Sequence, residues 1–195
     1  MLPDGLKHYL KELASSAPTP GGGSAAAVTV AQGLALLSMV CNLTAGKKRF
    51  SAVEAQIRSA LKQLSAMQEE ALTEAEADIT AFTEVMKAYR LPAETDMQKS
   101  TKQDALDRAT REAAQPPFRL MTLAAEALAF ADQLERIGNP NLLSDVLVGR
   151  HLLIAGIKSS RVNVEVNLNN LSPDDPFVTQ MKTNMKALIA SALGE

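Results

Sequence analysis

Apolar residues recur along this chain in steps of three and four, the spacing of helix faces, and almost nowhere in the strict alternation of a half-buried strand. The clearest run is Ile57, Leu61, Leu64, Gln68, Ala71, Ala75, Asp78, Phe82, Val85, Tyr89. Alternating steps of four and three keep these positions on one side of a helix, the side that packs on other helices. The spacing predicts a long helix from about Ser51 to Arg90, stopped by Leu91-Pro92. Before it, an amphipathic segment runs from Asp4 to about Ala14, and a second helix is expected from Ser24 to Thr44, ending at Gly46. After it, a fourth pattern runs from Glu94-Thr95-Asp96 towards Ile137 and must break or kink at Pro116-Pro117.

Gly138-Asn139-Pro140 reads as a stop and restart, with Asn139 able to cap and Pro140 at the first helical position. A fifth helix follows, carrying Asp145, Val148, Leu152, Ala155, Ser159, Val162 and Val166 at heptad spacing. Its end, Arg161 to Leu168, alternates β-branched residues as a strand would; helix is favoured over an extended segment. A last amphipathic helix spans Asp174 to Leu193. The expected fold is an all-α bundle of five to six helices, some long, in a single domain over residues 1–195. Seams longer than one small bundle needs, with Gly149, Gly156 and Ser160 on the fifth helix, point to a dimer.

Composition narrows the function. Aromatics are 4% and Trp is absent, so Ala, Leu, Val and Met must fill the core, which favours closely packed helices. A formal net charge of −2 leaves no electrostatic footprint for nucleic acid. One cysteine, Cys41, excludes an internal disulfide and fits a reducing cytoplasm. The charge-free stretch from Leu13 to Gly46 is diluted by Gln32, Asn42 and several glycines and reads as a buried helix, not a membrane span. Asp4, Lys7 and Lys11 argue against a signal peptide. The two histidines, His8 and His151, lie on different segments, so neither a metal site nor a Ser-His-Asp arrangement is expected.

Three groups could carry chemistry. Asp78 is a carboxylate in an apolar seam, where lost hydration costs several kcal/mol unless the group is paired or neutralised. An ion pair with a neighbouring helix and a catalytic role account for it equally well. Pro18-Thr19-Pro20-Gly21-Gly22-Gly23-Ser24 can turn backbone N–H groups toward an anion at a helix start. It lacks the lysine of a nucleotide-binding P-loop. A ligand contact is favoured there over a connector in which Ser24 is an ordinary N-cap. Asp145 is explained by the dipole at a helix N-terminus, and Lys47-Lys48-Arg49 serves equally as a solvated surface or as a partner for carboxylates.

Together these stretches resemble the cyclodeaminase/cyclohydrolase family of folate enzymes. The matching motifs are Pro18 to Ser24; Ser38-Met39-Val40-Cys41-Asn42-Leu43-Thr44 with Gly46-Lys47-Lys48; and Asp78-x-x-Ala81-Phe82 leading to Tyr89-Arg90-Leu91-Pro92. Gly138-Asn139-Pro140-Asn141 with Ser144-Asp145, and Asn163 through Asn167-Leu168, complete the series in order along essentially the whole chain. The resemblance implies an all-helical homodimer with a folate-binding cleft and a catalytic aspartate at Asp78. Pro20, Gly21, Gly22, Gly23, Ser24, Phe82, Asn141, Ser144 and Asp145 would line the site, and Lys47 and Lys48 would meet the glutamate carboxylates of the folate. It implies no cofactor, the tetrahydrofolate derivative being the substrate.

Two activities belong to that family: hydrolysis of 5,10-methenyltetrahydrofolate to 10-formyltetrahydrofolate, and release of ammonia from 5-formiminotetrahydrofolate. Without a transferase domain in the chain the first is expected. The second would draw on a formiminotransferase encoded separately. A folate-binding helical protein without chemistry is a third reading, weakened by Asp78, because a scaffold would gain stability from Leu there.

Overall fold

The computed structural model describes residues 3–194. Among them are seven α-helices and no strand: α1 (Asp4–Leu13), α2 (Gly22–Thr44), α3 (Glu54–Tyr89), α4 (Asp96–Ala113), α5 (Gln115–Ile137), α6 (Leu143–Leu168) and α7 (Pro176–Leu193). The all-α expectation holds, with one helix more than the upper count. Pro116-Pro117 splits the fourth pattern into α4 and α5, because neither proline can donate to the carbonyl four residues back. The carbonyl of Ala113, freed by Pro117, instead accepts a hydrogen bond from Asn167 Nδ2 at 3.0 Å. That bond ties the end of α6 to the kink. Arg161 to Leu168 is helical throughout, not extended.

Helix α2 is the central element. Its residues Val30, Leu34, Leu37 and Val40 are fully buried and join one apolar cluster with Ile57, Leu64, Met121, Leu153 and others. This helix is long and apolar enough to cross a membrane, but most of its length is buried inside the bundle. Cys41 lies in the same core, and burial pushes its thiol up to about 11, so it behaves as a small apolar residue.

Helix α6 runs antiparallel to α2 along its whole length. Gly22 lies beside Asn163, Val30 beside Gly156 and Gly33 beside Gly149. The approach is close because these positions lack side chains: a methyl on Gly33 would sit 3.0 Å from the Gly149 carbonyl oxygen. A methyl on Gly156 would overlap Val30 Cγ2, and a β-branched residue on a helix has one favoured rotamer and little room to yield. Gly156→Ala is therefore expected to cost about 1–3 kcal/mol, read as a lowered urea midpoint with unchanged slope.

The long seam of α3 is correct only in its first half. Ile57, Leu64 and Ala71 are buried, with Ala60 and Met67, but Phe82 and Tyr89 are exposed. Beyond Asp78 the helix leaves the core and forms an outlying hairpin with α4. Glu74, one turn before Asp78, is the buried acid that carries an ion pair. Arg119 of α5 donates to its two carboxylate oxygens at 2.7 and 2.8 Å. Arg111 clamps α4 to the start of α7 in the same way, through Asp175 Oδ2.

Candidate active site at the start of the central helix

The glycine turn ends in Gly21, which caps α2 in an extended conformation without any side-chain hydrogen bond. Ser24 is therefore not the N-cap. It lies inside the first turn, buried, with its Oγ 3.3 Å from the hydroxyl of Tyr9 on α1. The first backbone bond of the helix is donated by Ala25 to the Gly21 carbonyl. The N–H groups of Gly22, Gly23 and Ser24 thus form a bare, positively polarised helix end.

Asp78 is seated against this end. A methyl on Gly23 would overlap its carboxylate, so only glycine at that position lets the acid approach the α2 backbone. Among the described residues no hydrogen bond or cation reaches the carboxylate, and burial holds its pKa above the ordinary carboxylate value. The ion-pair explanation belongs to Glu74, not Asp78. A desolvated acid retains its proton more readily, while a helix N-terminus receives its anion. The two influences suit a group that takes up and returns a proton.

Two further residues complete this end. Asn163 of α6 directs Oδ1 toward Gly22, 3.3 Å from where a β-carbon would stand, while its Nδ2 donates to the Ser159 carbonyl at 3.1 Å. Phe82, one turn beyond Asp78 on α3, is exposed at the rim. In the sequence Asn163 is only part of a motif, and nothing there marks Tyr9. Neither stands out in the sequence, because each reaches the site from another helix, Tyr9 from α1 and Asn163 from α6. On a neighbouring face of α3, a cavity of about 630 Å³ between α3, α4 and α5 is lined by Ala77, next to Asp78, by Ala81 three residues on, and by Arg108 and Glu112. Asp78 does not line that cavity.

The remaining candidates lie elsewhere. Lys47 and Lys48 follow the C-terminal end of α2, about 33 Å from Gly22 at 1.5 Å per residue. The Asn139 loop docks at that same far end, its N–H donating to Thr44 Oγ1 at 3.2 Å. Asn139 Oδ1 caps the following turn by accepting from Asn141 N–H. Asn141 and Ser144 are exposed there, and Asp145 occupies the first turn of α6. Within one chain these five residues do not meet Asp78. His8 and His151 are both exposed. Among the described residues no cluster of three or more His, Cys, Asp or Glu is placed to hold a metal ion.

Fold and site together give an all-helical bundle with a desolvated carboxyl seated on a helix N-terminus. Comparison with known proteins gives the family. Residues 5–187 match the model of formiminotransferase-cyclodeaminase, and the chain belongs to that family. Among its relatives is the methenyltetrahydrofolate cyclohydrolase of Methylorubrum extorquens, 37% identical over 187 residues, covering 96% of this chain and 89% of that protein. The formimidoyltransferase-cyclodeaminase of Sus scrofa is 31% identical over 96% of this chain, which spans only 34% of the pig protein. The crystal structure of formiminotetrahydrofolate cyclodeaminase from Thermotoga maritima superposes with a TM-score of 0.87 at 30% identity, over 97% of this chain and 90% of that one.

Proposed function

We propose that this protein hydrolyses 5,10-methenyltetrahydrofolate to 10-formyltetrahydrofolate, with Asp78 as the proton carrier. The observation that carries the reading is the desolvated Asp78 carboxyl, without a cation, on the uncapped start of α2. The cyclohydrolase relative, matched over most of its own length, supports this choice of reaction.

In the proposed sequence Asp78 accepts a proton from water as the oxygen adds to the methenyl carbon. The protonated acid then returns that proton to the nitrogen at position 5. The bond from this nitrogen to the carbon breaks, and the hydroxyl proton leaves to solvent as the formyl C=O forms. The N–H groups of Gly22, Gly23 and Ser24 would donate to the hydroxyl oxygen of the tetrahedral intermediate as its proton leaves. Phe82 provides an apolar surface for the pterin. In the proposed homodimer Lys47 and Lys48 serve the folate carboxylates and Asn141, Ser144 and Asp145 line the cleft, from the far end of α2 and therefore from a second copy. No cofactor is invoked. The bundle acts as one domain, as a homodimer in the cytoplasm, where its single buried thiol stays reduced.

Cyclodeaminase activity is the second reading, supported by the close superposition on the Thermotoga protein of that name. It would use the same acid to protonate the departing ammonia, and would take its substrate from a separate formiminotransferase. Near-ultraviolet absorbance of 5,10-methenyltetrahydrofolate separates the two. Loss faster than in buffer supports hydrolysis. No acceleration, with ammonia released from 5-formiminotetrahydrofolate, supports the second reading.

The same acid makes a prediction for stability. A carboxyl whose pKa is raised on folding binds its proton more tightly in the native state, so stability is full below the unfolded pKa. It falls as pH rises through the folded one. At neutral pH the native protein therefore bears the cost of a buried, unpaired anion. Asp78→Asn is expected to melt higher than wild type at pH 7, with the difference closing as pH falls toward 4, read by calorimetry across pH.

A further inference from the structure

Buried side chains along α3 stop at Glu74 and do not resume until Ala88. Asp78 lies in that gap, half-buried, and among the described residues no hydrogen bond fixes it against the α2 backbone. Beyond it α3 belongs to the outlying hairpin with α4. The last buried side chain that anchors this stretch to the bundle is therefore Glu74, one turn before the acid.

Glu74 is held in direction as well as in place. Arg119 Nε donates to Oε1 at 2.7 Å and Nη2 to Oε2 at 2.8 Å. Two parallel bonds from a planar guanidinium fix the orientation of the carboxylate, which a point charge cannot do. Arg119 itself stands on a braced support. Pro116 and Pro117 are buried at the start of α5, and the Ala113 carbonyl before them accepts from Asn167 of α6. One turn back along α6, Asn163 lies against Gly22 at the start of α2. Helix α6 thus ties both sides of the site together, the glycine turn through Asn163 and the support of Arg119 through Asn167.

We propose that Arg119, through its fork on Glu74, is the residue that positions Asp78 against Gly23. The proposal rests on Asp78 as the proton carrier for its effect on rate, and on geometry alone for the positioning. Four residues separate Glu74 from Asp78, about 6 Å along a stiff helix, so a shift of α3 at the fork is carried to the acid. Arg119 touches no reacting atom and acts only through α3.

A second clamp supplies the control. Arg111 binds Asp175 at the start of α7, not α3, by two bonds of 2.9 and 2.7 Å. The two arginine side chains are 46% and 41% exposed and each meets an acid only 10% exposed, so losing either fork should cost similar stability. Removing an arginine alone would strand a buried carboxylate. Each fork is therefore cut in two milder ways. Arg119→Lys and Arg111→Lys keep the charge without the fork, while Glu74→Gln/Arg119→Met and Asp175→Asn/Arg111→Met neutralise both partners.

Cutting the Arg119 fork is expected to lower kcat for 5,10-methenyltetrahydrofolate by about tenfold or more, with KM within about threefold of wild type. Cutting the Arg111 fork should leave both unchanged. Equal losses of kcat from the two forks, or a change confined to KM, overturn the proposal. A readout without turnover separates positioning from chemistry. Gly23→Ala lowers the urea midpoint because its methyl meets a carboxylate held in place. Once the Arg119 fork is cut α3 can yield, so that loss should shrink by about half or more. An undiminished loss in the Glu74→Gln/Arg119→Met background overturns the positioning. Full turnover by Asp78→Asn, or none by wild type, would fail the folate reading instead and leave the urea midpoints to decide.

Discussion

Asp78→Asn is expected to lower turnover of 5,10-methenyltetrahydrofolate by about 10²–10⁴-fold, the usual contribution of a positioned acid–base group. Asparagine keeps the size of the side chain and a carbonyl oxygen beside the start of α2, but it can neither take nor return a proton. Substrate binding should change far less than kcat, since the pterin surface and the glycine turn remain. Because the replaced anion is desolvated and unpaired, the loss of activity should come with a gain in stability at neutral pH, not a loss. A folded, stabilised and inactive variant separates catalysis from structure in one protein. Retention of full turnover would remove Asp78 from the chemistry.

Gly23→Ala is the second large effect. The added methyl would occupy the position of the Asp78 carboxylate, so either the acid or the first turn of α2 must move. A displacement on the order of 1 Å at the reacting group costs about 10²-fold in rate, and overpacking costs about 1–3 kcal/mol in stability. The two residues should be strongly coupled. In an Asp78→Gly background the methyl meets no carboxylate, so Gly23→Ala should then be nearly neutral for stability. Urea unfolding of the four proteins reads the coupling directly. Equal costs in both backgrounds would mean that the carboxylate does not rest on Gly23.

The acid itself was visible from spacing, because a charged residue at a seam position is conspicuous whatever surrounds it. Its surroundings were less legible. Spacing alone left an ion pair and catalysis evenly matched. The pair belongs to Glu74, whose partner Arg119 lies on another helix and whose glutamate-rich neighbourhood reads as solvated surface. The second half of the α3 seam departs from the spacing because strict steps of three and four continue a stripe that a 3.6-residue helix slowly turns away from. Phe82 and Tyr89 are exposed for this reason, and because α3 projects past the core with α4. Asn167 could not be linked to Pro117 by any local signal, since its bond to Ala113 joins residues 54 apart. The spatial division of the site was implicit in the sequence all along. One unbroken helix from the glycine turn to Thr44 already sets Lys47 more than about 30 Å from that turn, a length that motif order alone conceals.

The claim at the centre of this account is that a desolvated Asp78 moves the proton, and the pH dependence of kcat/KM tests it most directly. Hydrolysis of 5,10-methenyltetrahydrofolate is followed from pH 4 to 8 for wild type and Asp78→Asn, with the buffer rate subtracted at each pH. The base form is required for the first step, so wild-type kcat/KM should fall as pH drops through an apparent pKa above the ordinary carboxylate value. That acid limb should be missing from the residual activity of the variant. The same limb in both proteins would assign the proton to another group and contradict the account.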